Sequence, residues 1–119
     1  MTVATRTLAR GERIRGRRDF LRIQRRGTRT RGRYMTLIGL PGEQGCSRLG
    51  IVAPRRLGNA VRRNLIKRLV RELFRHEKPL PETDLVVLPF REFPDAPFRL
   101  LQGDYHRTLL RQLRARVRR

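Results

Sequence analysis

Residues 58–71 combine side chains that bind phosphate with the spacing of a helix. They read Gly-Asn-Ala-Val-Arg-Arg-Asn-Leu-Ile-Lys-Arg-Leu-Val-Arg. At 100° per residue with Val61 at the origin, an arc from roughly 40° to 180° is apolar: Leu65, Ile66, Leu69, Val70 and Leu73. The opposite arc, from roughly 240° to 340°, is mostly cationic: Asn64, Lys67, Arg68, Arg71 and Arg75. The pattern predicts a helix with one face in a core and a cationic face toward a partner.

The start of this helix carries positive charge where a helix selected only for stability would carry negative charge. Asn59 is the predicted N-cap, which places Arg62 and Arg63 in the first turn. Cations there oppose the helix dipole, at roughly 0.3–1 kcal/mol each. A bound polyanion would reverse that effect, because helix N-termini and arginine side chains both bind phosphate. The alternative is a cationic face that is simply solvated.

Seven residues are therefore the candidates for binding a polyanion: Asn59, Arg62, Arg63, Asn64, Lys67, Arg68 and Arg71. Arg62 ranks below Arg63, because it falls at roughly 100°, inside the apolar arc.

The whole chain is strongly basic. Its 119 residues carry 30 Lys and Arg against 10 Asp and Glu, a net charge of +20, and only Lys67 and Lys78 are lysines. This self-repulsion favours a polyanionic partner, and arginine suits nucleic acid because it pairs with phosphate and stacks on bases. A GC-rich genome would explain the preference for arginine equally well, but not the net charge. No acid lies at positions 20–42 or 44–71, although these hold six and eight cations.

Other chemistries find little support in the sequence. Cys46 is the only cysteine, as in a reducing compartment, and no ligand spacing relates it to His76 or His106. The ten acids are scattered, without the carboxylate cluster of a two-metal nuclease. No apolar run approaches the 18 residues of a membrane span, and the N-terminus lacks an apolar signal core, so we expect a cytoplasmic protein.

The elements that must position these residues follow from periodicity and helix breakers. We predict a helix over 17–26, strands over 33–40 and 48–53 that pair as a hairpin, and an apolar strand over 84–90. Prolines end the basic helix, and a last helix begins at an Asp95 N-cap.

The predicted order is α-β-β-α-β-α, with one further short strand allowed near the N-terminus. It corresponds to a single α/β (α+β) domain over residues 1–119, a two-layer sandwich with a small mixed sheet. Residues 1–16 are expected to form a flexible basic arm and residues 114–119 a basic tail.

The basic helix resembles the signature of the bacterial ribonuclease P protein component. That family's pattern is Gly-x-Ala-Val-x-Arg-Asn-x-x-Lys-Arg, followed by Arg-Glu and an aromatic residue. Residues 58–68 match it, and Arg71, Glu72 and Phe74 continue it. Leu65 departs from it, because members often carry arginine there.

The resemblance extends over roughly residues 13–117. Asp19-Phe20, Ile23 and Gly27 resemble the family's first helix, while residues 48–51 and 84–87 resemble two of its strands. Pro54-Arg55-Arg56 stands where the family has a Ser-Lys-Lys turn, so the charge is kept and the hydroxyl is lost.

The resemblance implies a fold, a function and partners. The parallel connection through the basic helix would be left-handed, an exception to the usual crossover rule. The chain would be the protein subunit of an endoribonuclease that removes the 5′ leader of precursor tRNA. The RNA subunit would carry the Mg²⁺-dependent hydrolysis, so no residue here is expected to be catalytic or to ligate metal. One protein would bind one ribonuclease P RNA through the basic helix, and a cleft would hold the leader.

Single-stranded RNA is held by cationic grooves with apolar or aromatic surfaces. Six residues are predicted to form the leader cleft: Phe20, Tyr34, Thr36, Ile38, Arg55 and Arg56. Phe20 fits a core position equally well, whereas Tyr34 lies on the strand face opposite Met35 and Leu37 and is favoured for the cleft. Two alternatives remain: a small ribosomal-type RNA-binding protein without an enzymatic role, and a protein-only nuclease. The motif spacing favours the ribonuclease P subunit.

Overall fold

The structure is a computed structural model that describes residues 10–43, 45–79 and 81–117. Its helices are α1 (Arg17–Arg26), α2 (Ala60–His76) and α3 (Phe98–Val117). Its strands are β1 (Thr28–Arg31), β2 (Met35–Pro41), β3 (Arg48–Ile51) and β4 (Thr83–Pro89). Short 3-10 turns occupy Arg10–Glu12, Arg55–Leu57 and Phe93–Asp95. The predicted α+β class with a small mixed sheet is confirmed.

The strands form one sheet in the order β1-β2-β4-β3. β2 is antiparallel to both β1 and β4, and β3 is parallel to β4. The predicted hairpin of residues 33–40 with 48–53 is therefore wrong, because β4 lies between β2 and β3. Leu85, Val86 and Val87 are fully buried. A strand that is apolar on both faces takes a central position in a sheet, and this explains the insertion. The left-handed connection through α2 stays a prediction.

β1 is a strand that the sequence did not predict. Its residues, Thr-Arg-Thr-Arg, contain no apolar side chain, yet they pair with β2 from Thr28 opposite Gly39 to Arg31 opposite Thr36. The chain turns between the two strands, where the Gly32 N–H donates to the Met35 carbonyl at 2.8 Å. The extra strand thus follows α1, instead of lying in the N-terminal segment.

The two faces of the sheet carry separate apolar clusters. On one face, Leu37, Leu85 and Val87 pack with residues of α2 and α3. On the other, Ile38 and Val86 pack with Ile23 of α1 and with Ile14. Alternation along each strand produces this division, since successive side chains point to opposite faces. α1 and α2 consequently lie on opposite sides of the sheet.

The structure contradicts the parts of the predicted basic arm and tail that it describes. The predicted flexible arm over 1–16 is wrong for its second half, since the Ile14 N–H donates to the Leu49 carbonyl at 3.0 Å and the Ile14 side chain is buried. The predicted tail over 114–119 is likewise wrong for residues 114–117, which continue α3, with Arg116 Nη1 donating to Thr83 Oγ1 at 2.9 Å. Residues 1–9 and 118–119 lie outside the described residues.

Candidate nucleic-acid interface

The N-terminus of α2 is built as the sequence predicts. Asn59 Oδ1 accepts a hydrogen bond from the Arg62 N–H at 2.9 Å, which confirms Asn59 as the N-cap. Gly58 precedes it with φ of +135°, a conformation that side chains rarely adopt, and a Cβ there would lie 2.5 Å from Arg62 Cδ. The side-chain oxygen of Asn59 thus serves the helix, although the residue as a whole is exposed.

The open face of α2 is rotated from the predicted one. Ile66, Val70, Leu73 and Phe74 are buried, and they centre the buried arc nearer 170° than 110°, roughly, on the same wheel. Val61 is 78% exposed and Leu65 is 40% exposed. The assignment of Leu65 to the buried face is therefore wrong, because the helix packs with Phe74 inward. The outer face is part apolar and part cationic.

Arg62 is an internal anchor, which corrects its inclusion among the polyanion-binding residues. Its Nε donates to the Leu57 carbonyl at 3.1 Å and its Nη2 to the Arg91 carbonyl at 2.9 Å. The same guanidinium pairs with Asp95, with Nη2 to Oδ2 at 3.0 Å, and this hydrogen bond lowers the pKa of the Asp95 carboxyl. Asp95 thus binds Arg62 at the end of a 3-10 turn, and the predicted N-cap for α3 is wrong, since α3 begins at Phe98.

The other candidates of the first three turns face outward. Arg63 uses only Nε internally, donating to the Gly58 carbonyl at 3.2 Å. Asn64 and Arg68 are exposed and Lys67 is half-buried, and the side chains of these three make no hydrogen bond or ion pair with the described residues. No acid is present in the first turn of α2. These donors are available to a ligand.

Arg71 belongs to a second group of cations on the flank of α2. Burial lowers the pKa of its guanidinium, and the neighbouring charges of Arg13 and Arg75 lower that pKa further. Among the described residues, Arg71 Nε and Arg75 Nε and Nη1 are buried without a hydrogen-bond partner. Arg75 Nη2 pairs with Glu72. The like charges of Arg13, Arg71 and Arg75 repel one another, and an anion bound beside them would relieve that repulsion.

On the opposite face of the sheet, a buried ion-pair network fixes α1. Arg48 of β3 binds Asp84 of β4 through two hydrogen bonds, Nε–Oδ1 at 2.9 Å and Nη2–Oδ2 at 2.8 Å. Asp84 raises the pKa of Arg48 by this hydrogen bonding, against the opposing effect of burial. Arg48 also reaches Asp19 of α1 at 3.4 Å, and Arg22 reaches Asp84 at 3.5 Å. The network holds the helix that carries Phe20 against β3 and β4.

The Phe20 side chain lies at the edge of the sheet surface that α1 covers. Its ring lies on Gly50 of β3, where an added Cβ would be 2.7 Å from two ring carbons. Phe20 is half-buried and packs against the second cluster together with Val52 and Leu88, which are also half-buried. Leu88 pairs across the sheet with Thr36, and the Val52 N–H donates to the neighbouring Val87 carbonyl at 3.0 Å. These residues form a partly open floor beside Phe20.

The structure divides the predicted cleft residues. Phe20 and Ile38 share the second cluster, but Ile38 is fully buried and cannot contact a leader, so its assignment is wrong. Thr36 is on the same sheet face and is also buried. Tyr34 lies in a bend before β2 and packs against the first cluster, its N–H donating to Asp104 Oδ2 at 2.9 Å. The bend removes Tyr34 from the strand alternation on which its placement depended.

Phe90 and Arg31 are candidates that sequence reasoning missed. The Phe90 N–H donates to the Tyr34 carbonyl at 2.9 Å, so the ladder continues past β4, and alternation puts Phe90 on the face of Leu88. The Arg31 guanidinium lies 4.5 Å from the centre of the Phe90 ring. The signal in the sequence is an aromatic residue two positions after Leu88. Arg55 and Arg56 are exposed in the 3-10 turn after β3, and no described contact joins them to Phe20.

The described residues contain neither a metal-binding cluster nor a membrane-spanning helix. Residues 10–43, 45–79 and 81–117 contain no group of three or more His, Cys, Asp or Glu residues that could hold a metal ion. Within the same ranges, none of the helices has the length and apolar character needed to cross a membrane.

Comparison with known proteins gives the same relatives by sequence and by structure. The family model described as Ribonuclease P matches residues 8–114. The Ribonuclease P protein component of Thermotoga maritima is 41% identical over 93 residues, which cover 76% of this chain and 80% of that protein. The RNase P protein structure from Thermotoga maritima superposes with a TM-score of 0.75 at 39% identity, covering 84% of this chain and 96% of that one. The Staphylococcus aureus RNase P protein gives a TM-score of 0.73 at 31% identity, over 82% and 92% of the two chains.

Proposed function

This chain belongs to the bacterial ribonuclease P protein family, and we propose that it holds two RNA molecules at once, the catalytic RNA and the 5′ leader of precursor tRNA. It is a protein component of ribonuclease P and thus part of an endoribonuclease that processes tRNA. The ribosomal-type alternative is not favoured by these relatives. A stoichiometry of one protein per RNA and action in the cytoplasm are part of the proposal.

The observation that carries the proposal is the outer face of α2. Arg63, Asn64, Lys67 and Arg68 direct unused donors away from the core, without an acid in the first turn to neutralise them. Arg71, on the flank of the same helix, adds a further positive charge beside Arg75 and Arg13. An RNA backbone supplies acceptors for all of them, and arginine pairs with phosphate in bidentate fashion. This face is assigned to ribonuclease P RNA.

The leader is assigned to the opposite face of the sheet. Phe20 and Phe90 give two aromatic edges, and Leu88 and Val52 give a partly open apolar floor between α1 and the end of β3. Bases of a single strand stack or pack on such surfaces, whereas bases inside a duplex cannot. Arg31, and Arg55 and Arg56 at the start of the connection to α2, supply positive charge near the ends of the strands.

Hydrolysis is assigned to the RNA subunit with Mg²⁺. The described residues offer no carboxylate cluster that fits a metal ion. The contribution of the protein is electrostatic and positional. Catalytic RNA and precursor tRNA repel each other as polyanions, and a chain with a net charge of +20 reduces that repulsion while fixing the leader.

Reconstitution tests the proposal. Ribonuclease P RNA and precursor tRNA are mixed at low Mg²⁺ with and without the protein, and 5′ cleavage is followed on gels. We expect the protein to stimulate cleavage by the RNA and to cleave nothing alone. Failure to stimulate would refute the subunit role, and cleavage by the protein without RNA would favour the protein-only nuclease.

A further inference from the structure

Part of the exposed face of α2 is apolar, which an interface made only of phosphate contacts does not require. Val61 is 78% exposed and Leu65, one turn later, is 40% exposed. The two are neighbours on one helix face, since residues four positions apart adjoin. Together with Asn64, Arg68 and Arg71 they line one shallow groove on the helix surface.

Asn64 supplies a second observation in this groove. Its amide carries two donors and two acceptor lone pairs, and its side chain makes no hydrogen bond in the part of the chain that the structure describes. An amide of this kind forms paired hydrogen bonds with the edge of a nucleobase, whereas a phosphate uses only its donors. The groove therefore combines an apolar floor, an amide edge and flanking guanidinium groups.

The positive charge around this groove indicates which kind of partner it would bind. No acid occurs at positions 44–71, and Arg68 and Arg71 lie on the rim. An occupant must offer negative charge beside a flat apolar surface. An unpaired nucleotide offers both, because its base faces are free of the stack and its phosphate adjoins them, whereas base faces within duplex RNA are covered.

We propose that Val61, Asn64 and Leu65 form a binding site for an unpaired nucleobase of ribonuclease P RNA. The base packs on Val61 and Leu65, its edge binds the Asn64 amide, and Arg68 and Arg71 bind the adjoining phosphates. The site rests on the assignment of α2 to that RNA and adds a contact that does not depend on charge. It also gives a role to the exposed side chain of Leu65.

Salt dependence separates this contact from the ionic ones. The variant V61A/L65A removes the apolar floor without removing a charge, and alanine favours an exposed helix position, so the fold is retained. We expect about tenfold weaker binding of ribonuclease P RNA at every salt concentration, because the apolar contact is lost while the counterion release is not. Arg68→Ala should instead lower the log–log salt slope by about 0.7–0.9.

Leu110→Ala is the matched control, because Leu110 of α3 is also 40% exposed and lies outside both RNA faces. It should bind as the wild type does. Chemical probing of the RNA bases should show one unpaired base that the wild type protects and that both V61A/L65A and Asn64→Ala leave reactive.

Any of three results would overturn the site. V61A/L65A could bind the RNA with wild-type affinity, its salt slope could be lowered, or the protein could protect only paired bases. A free wild-type dimer that V61A/L65A converts to a monomer in light scattering would assign the patch to self-association and overturn it as well. Stimulation of cleavage by the wild type is scored separately, so a failed subunit role is distinguishable from a failed base site.

Discussion

Arg62 and Arg63 are adjacent in sequence and opposite in role, which makes them a matched pair for mutation. Arg62 donates from Nε to the Leu57 carbonyl, from Nη1 to Asp95, and from Nη2 to both the Arg91 carbonyl and Asp95. Arg63 donates only from Nε, to the Gly58 carbonyl. We expect Arg63→Ala to weaken binding to ribonuclease P RNA and Arg62→Ala to weaken the fold, although both remove one charge from the first turn of α2.

The size of the Arg63 effect follows from counterion release. One phosphate contact adds about 0.7–0.9 to the log–log salt slope, so a fourfold rise in salt changes affinity by about threefold for each contact. Arg63→Ala should bind less tightly at low salt and lose that threefold sensitivity. Its stability should be close to that of the wild type, because alanine is favoured inside a helix.

The size of the Arg62 effect follows from its hydrogen bonds to the Leu57 and Arg91 carbonyls. At about 0.5–1.5 kcal/mol each, their loss lowers the free energy of unfolding by about 1–3 kcal/mol. For a domain of 119 residues that corresponds to a melting temperature lower by roughly 4 °C per kcal/mol. The salt slope for RNA binding should be unchanged once the variant is folded.

The assay is filter binding or fluorescence titration of ribonuclease P RNA over a series of salt concentrations, beside urea unfolding of each free protein. An unchanged slope for Arg63→Ala would remove Arg63 from the interface. A slope lowered by Arg62→Ala, with stability intact, would show that the RNA displaces Asp95 and that the anchor opens on binding.

Two further substitutions probe the proposed leader cleft, and a third probes the ion-pair network that holds α1. Phe20→Ala should weaken binding of precursor tRNA with a long leader more than binding of leaderless tRNA. Equal losses for both substrates would make Phe20 a core residue. The stability of the variant is measured in parallel, because truncating a buried Phe costs up to roughly 3–5 kcal/mol. Gly50→Ala should displace the Phe20 ring, since the added Cβ would lie 2.7 Å from two ring carbons. The variant should therefore show a smaller preference for tRNA with a leader over leaderless tRNA. A preference equal to that of the wild type would contradict the contact between Phe20 and the leader. Asp84→Ala should lower the free energy of unfolding by roughly 3–5 kcal/mol in urea titrations, because Arg48 stays buried without its main partner. A loss below about 1 kcal/mol would show that Asp19 replaces Asp84 as the partner of Arg48.

Local signals explain which parts of the fold could be predicted. The Asn59 cap, the prolines after α2 and the period of its apolar residues all act within a few positions, and they located this helix correctly. β1 has four residues and no apolar side chain, so it forms because β2 and α3 hold it in place. The neighbours of β3 were missed because strand pairing is long-range, and β4 reaches its place only after α2.

Side-chain roles were predicted less well because they depend on distant partners. Asp95 lies 33 positions from Arg62, and its contact with the guanidinium decides whether that arginine is free to bind a ligand. Alternation correctly gave Ile38 and Thr36 the face opposite Leu37, but it could not show that α1 would cover that face. The helical wheel placed Leu65 in the core because it grouped residues by hydrophobicity, whereas the position of Phe74 in the core sets the actual rotation of α2.

The two candidate RNA faces lie on opposite sides of one sheet, and this arrangement bears on how a small protein can serve two RNA molecules. α2 packs on the face of Leu85 and Val87, while Phe20 packs on the face of Val86. A continuous cationic patch would let two polyanions compete for the same charges, whereas a sheet between them fixes their separation. Both faces are anchored to β4, and α1 is tied there by Asp84, so under the proposed assignment RNA on α2 and a leader in the cleft would be held in one fixed relation. The apolar core of the sheet thus fixes how the two cationic surfaces are oriented relative to each other.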